Sequence, residues 1–138
     1  MPAKDDVVQK VSLALEARRI KAHWRPRVLA TLNGQEVKLA KFRGTFVWHH
    51  HADADELLLG VNGRFRVEFA HHYVDLGPGE CVVIPRGTEH RTSAEEDAEV
   101  LIFEPAGTRN TGNIKHPTLT APVASARRRV RGSRPRTT

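Results

Sequence analysis

Residues 44–63 read GTFVWHHHADADELLLGVNG, and residues 79–90 read GECVVIPRGTEH. Both stretches combine short apolar runs with glycine or proline at positions where an extended chain would turn. In the first stretch three histidines are consecutive. Because side chains alternate along a strand, His49 and His51 point to one face and His50 points to the other. Two imidazoles placed in this way can bind one metal ion.

Two further residues can complete such a metal site. Glu56 begins the next apolar run, and His90 follows a turn at residues 85–87 that can bend the chain and direct the imidazole inward. Three neutral imidazoles and one carboxylate suit a divalent transition metal and leave positions open for water or substrate. The alternative interpretation is a set of ordinary polar residues at a strand edge and a turn. The predicted metal ligands are His49, His51, Glu56 and His90.

Short strands with turn signals extend outward from these stretches, from Arg27 to about Glu104. Residues 33–34 and 62–63 are both Asn-Gly and separate apolar runs, which predicts two hairpins because both residue types tolerate positive φ. A further turn is predicted at residues 77–79. Roughly seven to nine strands of this kind indicate an all-β fold, an antiparallel sandwich or barrel. No helical pattern interrupts them, which argues against a parallel α/β sheet.

The N-terminal residues predict a helix rather than a strand. Val8, Val11 and Leu15 recur at helical spacing within residues 5–22, and a following proline prevents the helix from continuing. We therefore expect residues 1–26 to form an N-terminal helical segment that precedes the barrel domain.

The C-terminal residues lose the strand pattern after the last apolar run. Prolines, glycines and arginines leave little to bury in residues 105–138. We expect the part up to about residue 117 to pack against the barrel and the remainder to be disordered. The predicted division is thus a β-barrel domain of residues 27–116 and a disordered, arginine-rich tail of residues 117–138.

The basic charge of the chain belongs to this tail. The formal net charge is +6, from 22 lysines and arginines against 16 acidic residues. Six arginines lie beyond residue 126, so the other 16 basic residues balance the 16 acidic ones. A neutral folded part argues against nucleic acid as the main partner, although the tail can make non-specific, salt-sensitive contacts with it. Docking on an acidic partner is a second hypothesis for the tail.

Length and composition exclude two classes of protein. The 138 residues are 39% hydrophobic, which is enough for one core, but no run reaches the roughly 20 apolar residues that span a bilayer. Cys81 is the single cysteine, so no intramolecular disulfide can form. Membrane proteins and disulfide-stapled secreted mini-proteins are therefore excluded, and we expect a cytoplasmic protein. Cys81 and Val83 share one strand face, which we predict to be buried, with an inert thiol.

The two stretches quoted above resemble the two sequence motifs of the cupin superfamily. The first matches in its His-x-His, in the four residues that precede Glu56 and in the six residues between Glu56 and Gly63. The second matches in the five residues that precede Pro85 and in the two residues between Gly87 and His90. With both motifs in order, the chain is similar to small single-domain cupins of the mannose-6-phosphate isomerase-like group.

This resemblance implies a fold, a cofactor and an assembly. The fold is a double-stranded β-helix, or jelly-roll barrel, that holds a divalent transition metal ion on His49, His51, Glu56 and His90. Iron, manganese, zinc or nickel would suit these ligands, and supply in the cell often decides between them. We expect Val47, Leu58 and Val83 to surround the ion. Cupins of this size commonly pair through sheet edges, so a homodimer is expected.

Three hypotheses about function follow, and the sequence leaves all three open. In the first, the ion acts as a Lewis acid on a small molecule of the sugar or carboxylate type, in an isomerase or dioxygenase-type cupin. In the second, the barrel binds or senses a small-molecule ligand without catalysis. In the third, the arginine-rich tail docks the protein on a partner. No lysine or tyrosine stands out as an acid or base, so no catalytic residue is assigned.

Overall fold

The computed structural model describes residues 8–122, as one short helix and seven strands. Neighbouring strands pair antiparallel throughout. Within these residues no helix is long and apolar enough to cross a membrane. The helix is α1 (Leu13–Arg19), and the strands are β1 (Arg27–Leu32), β2 (Gln35–Thr45), β3 (Glu56–Asn62), β4 (Phe65–Glu68), β5 (Tyr73–Leu76), β6 (Cys81–Ile84) and β7 (Arg91–Pro105).

The long strand β7 organises the sheet, because it pairs with three other strands. Its first residues pair with β4 and with the end of β2, whereas its later residues lie between β2 and β3. Between these two parts, residues 95–97 are exposed and the register to β2 shifts, as at a β-bulge, which bends a strand. β1 extends the sheet beyond β2, and β6 extends it beyond β3. The predicted all-β jelly-roll barrel is confirmed.

One of the two predicted hairpins forms. Asn33 and Gly34 both have positive φ, of 52° and 75°, and Leu32 pairs with Gln35 across the turn that joins β1 to β2. The second prediction is wrong, since β3 and β4 do not pair with each other. Gly63 instead forms a corner, where an added Cβ would collide with the carbonyl oxygen of Asp97. The Asn-Gly pair fixed the backbone angle but not the partner strand.

The predicted helix over residues 5–22 is wrong in its extent. The described helix begins only after Ser12, whose hydroxyl accepts a hydrogen bond from the Leu15 amide at 3.2 Å, a normal N-cap. Val8 and Leu15 are 78% and 53% exposed, so the proposed apolar stripe has no surface to cover. Ala17 is buried instead, beside β2. Residues 5–7 lie outside the described part.

An aromatic stack fills the barrel next to the predicted metal ligands. The Trp24 ring lies between those of Phe42 and Phe46, with centroids 4.6 Å away on each side. Its indole Nε1 donates to the Arg43 carbonyl at 3.0 Å. Trp24 adopts a φ of 64°, which a non-glycine residue tolerates only when packing fixes it. The chain that precedes β1 therefore contributes directly to the barrel interior.

The chain after β7 also packs on the barrel. Thr111 is fully buried, and the Asn110 side-chain amide donates to the carbonyls of Trp24, at 3.2 Å, and Leu119, at 2.8 Å. The Asn110 side-chain oxygen accepts from the Ala121 amide at 2.8 Å. This packing extends beyond residue 117, where the sequence predicts the tail to begin. The remaining tail residues, 123–138, lie outside the described part, and their disorder stays a prediction.

The expected burial of Cys81 is wrong. Cys81 and Val83 do share one face of β6, but that face is exposed, and Val83 is 55% exposed. The opposite face, with Val82 and Ile84, packs on the core. Alternation correctly predicted that Cys81 and Val83 share a face. It could not predict which face is buried, because the short strand β6 has apolar residues on both faces. Val83 therefore does not line the predicted metal site, whereas Leu58 does.

Candidate metal centre

Backbone hydrogen bonds bring the two histidine-bearing stretches together. The amides of His49 and His90 each donate to the carbonyl of the other at 2.9 Å, which forms an isolated antiparallel bridge. The Gly87 amide donates to the His51 carbonyl at 2.8 Å. Glu56, the first residue of β3, lies opposite Ile84 at the end of β6. The segments of residues 49–56 and 84–90 thus meet at one place, because backbone hydrogen bonds join the turn at Gly87 and the strand ends to the histidine stretch.

Two of the imidazole rings are oriented by backbone carbonyls. His49 Nδ1 lies 2.9 Å from the Val47 carbonyl oxygen, and His90 Nδ1 lies 2.8 Å from that of Thr88. A carbonyl only accepts, so in both rings Nδ1 carries the proton and donates it. The lone pair of the neutral ring is then on Nε2, the usual arrangement when a histidine binds a metal through that atom.

The histidines form a buried set that we call the imidazole cluster: His49, His51 and His90. Their exposed fractions are 3%, 7% and 1%, and one ring nitrogen of each lies within 4.8 Å of the others. His51 Nε2 is buried without a hydrogen-bond partner, with Glu56 Oε1 3.7 Å away. Such an unsatisfied buried atom costs about 1–3 kcal/mol. A metal ion would satisfy it, so the residues fit the predicted ion.

Burial keeps two of these imidazoles neutral. Loss of solvent, helped by the nearby positive charge of His90, lowers the pKa of His49 to about 4. Burial likewise lowers the pKa of His51. Both rings are therefore unprotonated at neutral pH. Their lone pairs are available to a metal without first losing a proton.

Glu56 and His90 form a close charged pair. Burial alone would raise the pKa of Glu56, but the hydrogen bond from His90 and the charges of His51 and His90 outweigh it, lowering the pKa to about 2. Burial lowers the pKa of His90, whereas the Glu56 carboxylate, 3.5 Å from His90 Nε2, raises it more. Glu56 is thus an ionised carboxylate, and a bound cation would take the place of the His90 proton.

A second buried group adjoins the site, which we call the carboxylate cluster: Glu36, Lys38 and Glu104. All three are at most 4% exposed. Lys38 Nζ lies 2.9 Å from Glu104 Oε2 and 3.6 Å from Glu36 Oε1. Burial raises the pKa of Glu104 well above its ordinary value, and the negative charge of Glu56 adds to this, while Lys38 opposes it.

Sequence reasoning missed the carboxylate cluster, although a signal was present. Residues 36, 38, 40 and 42 alternate along β2, so Glu36 and Lys38 share a face with the core residues Ala40 and Phe42. Glu104 likewise shares a face of β7 with buried Ile102. Charged residues that continue an apolar face are unusual and point to a buried ion pair or a site.

The cavity at this site is small. Its volume is about 30 Å³, which holds one or two water molecules. The aromatic stack, Leu58 and Ile102 line its apolar side. The polar groups that face it are His49, Glu56, His90, Thr92, Glu104 and Asn110.

Other polar residues of the two stretches lie outside this cavity. His50 Nδ1 lies 3.1 Å from Glu89 Oε1, and its amide donates to Asn113 Oδ1 at 2.9 Å. The predicted outward orientation of His50 is confirmed. Arg86 forms an exposed ion pair with Asp55.

Comparisons with known proteins agree with this architecture. A family model described as "Cupin domain" matches residues 35–104, which include all four candidate ligands. The protein YdbB of Bacillus subtilis (strain 168) is 37% identical over 87 residues, which cover 55% of this chain and 77% of YdbB. A cupin-2 domain containing protein from Shewanella frigidimarina has a TM-score of 0.68 and 38% identity, covering 69% of this chain and 93% of that protein. A protein from Neisseria meningitidis has a TM-score of 0.64 and 28% identity, covering 70% and 99%.

Proposed function

This chain belongs to the cupin family, and we propose that it binds one divalent transition metal ion through His49, His51, Glu56 and His90 to bind or activate a small molecule. The observation that carries the proposal is the buried, unpartnered Nε2 of His51 beside an ionised carboxylate and two other oriented rings. Three imidazoles and one carboxylate suit iron, manganese, zinc or nickel.

The surrounding residues support this role. When bound, the ion would supply Lewis-acid chemistry, polarising a carbonyl, hydroxyl or carboxylate oxygen. The carbonyls of Val47 and Thr88 hold two rings in place, which limits reorganisation when a ligand exchanges. The aromatic stack and Leu58 exclude bulk water from one side of the site.

The cavity size bears on how a ligand would bind. About 30 Å³ holds one or two water-sized groups beside the candidate ligands. We therefore propose that a small molecule of the sugar or carboxylate type binds by inserting one oxygen-bearing group into this cavity. Isomerase or dioxygenase-type chemistry, as in similar cupins, remains the proposed catalytic role, and membership of the mannose-6-phosphate isomerase-like group is proposed on the motifs alone.

Assembly and location are also proposals. β6 lies at the end of the strand order and exposes Val83, which supports pairing of two chains through this sheet edge into a homodimer. The single cysteine, exposed as a free thiol, suits a reducing compartment such as the cytoplasm. Light scattering would contradict the homodimer if it gave the mass of one chain.

Metal content tests the central proposal. Untagged protein that has never been exposed to a nickel resin should contain about one transition metal ion per chain by plasma mass spectrometry, since the three imidazoles are grouped and Glu56 Oε1 lies 3.7 and 3.5 Å from two of them. The double variant His49→Ala/His51→Ala should contain none. His50→Ala is the matched control, because the neighbouring imidazole faces away from the site and its loss should leave the metal in place. Folded wild-type protein that takes up no manganese, iron or zinc would overturn the proposal.

A further inference from the structure

Glu104 lines the same cavity as three of the four predicted ligands. It lies near the end of β7, it is 2% exposed, and it lines the cavity together with His49, Glu56 and His90. One of its carboxylate oxygens lies within 4.8 Å of a ligating atom of both His51 and Glu56. This spacing allows one ion to contact all three side chains.

The two oxygens of Glu104 have different surroundings. Oε2 accepts a hydrogen bond from Lys38 Nζ at 2.9 Å. Oε1 is buried and has no hydrogen-bond partner. Within residues 8–122, the other buried side-chain atom in this condition is His51 Nε2. Both atoms belong to one group of three side chains, His51, Glu56 and Glu104, and a cation that replaced the protons there would satisfy both.

Lys38 fixes the position of Glu104. Its side chain is 6% exposed, and besides Glu104 and Glu36 it donates to the Thr108 carbonyl at 3.3 Å. These three contacts leave the Lys38 ammonium little freedom, so the Glu104 carboxylate is held at a fixed distance from the imidazole cluster. A charged group held in this way is pre-organised for a ligand.

We infer, resting on the proposed metal centre, that Glu104 is a further metal-site residue, a second carboxylate ligand held in place by Lys38. The donor set is then three imidazoles and two carboxylates. Carboxylate donors suit manganese, whereas imidazoles suit zinc and copper. The added carboxylate therefore directs the site towards Mn²⁺ or Fe²⁺ rather than Zn²⁺.

Titration of Mn²⁺ into the metal-free full-length chain tests this assignment. Isothermal calorimetry should show that Glu104→Gln, which keeps shape and can still accept from Lys38, binds Mn²⁺ about 10- to 100-fold more weakly than wild type. Its affinity for Zn²⁺ should fall less. Glu36→Gln is the matched control, because it removes the other carboxylate beside Lys38 and should change Mn²⁺ affinity less than about 3-fold. The Mn²⁺ electron paramagnetic resonance spectrum should change in Glu104→Gln only.

The outcomes separate this assignment from the proposed function. If wild type binds Mn²⁺ and loses it in His49→Ala, while Glu104→Gln binds as wild type does, Glu104 is not a ligand and the metal centre stands. If wild type binds no divalent ion, both fail. Should Glu104→Gln not fold, Glu104→Asp is the second variant, because its shorter side chain keeps the charge but moves the carboxylate away from the site. Wild-type Mn²⁺ affinity in Glu104→Asp would equally overturn the assignment.

Discussion

The imidazole cluster, through His49 and His90, and the carboxylate cluster, through Glu104, contribute to the lining of one cavity but are built in different ways. Backbone carbonyls and the turn at Gly87 orient the histidines, and these residues lie close together along two short stretches of sequence. Side-chain charge alone orients the carboxylates, across strands β2 and β7, whose residues Lys38 and Glu104 are 66 positions apart. The comparison teaches that local spacing places His49 and His51 on one face, whereas pairing between distant segments adds His90 and creates the whole of the carboxylate cluster.

The largest effect is expected from breaking the carboxylate cluster. Lys38→Met leaves the carboxylates of Glu36 and Glu104 buried without their shared cation. Removing one partner of a buried ion pair costs about 3–5 kcal/mol, and the free energy of unfolding of chelator-treated protein should fall by this amount. Urea unfolding followed by circular dichroism measures it. Added Mn²⁺ should recover part of the loss, because the ion brings positive charge to the same group.

The control for this variant is Lys41→Met, on the same strand but half-buried. Its free energy of unfolding should change by less than about 1 kcal/mol. Equal stability of Lys38→Met and wild type would show that the buried carboxylates do not depend on the charge of Lys38.

A smaller effect is expected behind the imidazole cluster. Gly112 has a φ of 56°, and an added Cβ would collide with the His50 carbonyl oxygen and lie 3.1 Å from the His49 ring. Gly112→Ala should therefore displace the His49 ring and lower both metal content and stability. Gly107→Ala is the matched control, since it has a φ of 83° but open space around it. The difference between the two should be about 2 kcal/mol in urea unfolding, from the collision alone. Identical losses in both variants would refute a specific contact with the histidines.

The smallest effect is expected from the outward-facing part of the second motif. Arg86 lies between Pro85 and Gly87, yet its guanidinium forms an exposed pair with Asp55. Arg86→Met should leave the metal content unchanged and shift Tm by no more than about 2 °C, because surface ion pairs stabilise little. A fall in metal content, measured by plasma mass spectrometry, would mean that the whole motif and not its inward-facing half forms the site.

Some elements could be predicted because their cause is local. Asn33 and Gly34 both have positive φ, which few other residue types adopt, and the strands directly before and after this turn pair with each other. The corner at Gly63 carries the same signal but joins strands that do not pair, since turn residues set a dihedral angle and not a neighbour. The length of the N-terminal helix is overestimated from the sequence for a related reason. Helical spacing at Val8 and Leu15 predicts burial only where another surface is present to cover them.

The sequence by itself determined the strand pattern and the shared face of His49 and His51. Both follow from alternation and short spacing, which act over a few residues and need no knowledge of the rest of the chain. The tertiary structure decided which face of β6 is buried, where Trp24 packs, and that Lys38 and Glu104 meet beside the site. These depend on which strands become neighbours, and the free energy that selects neighbours is summed over the whole core.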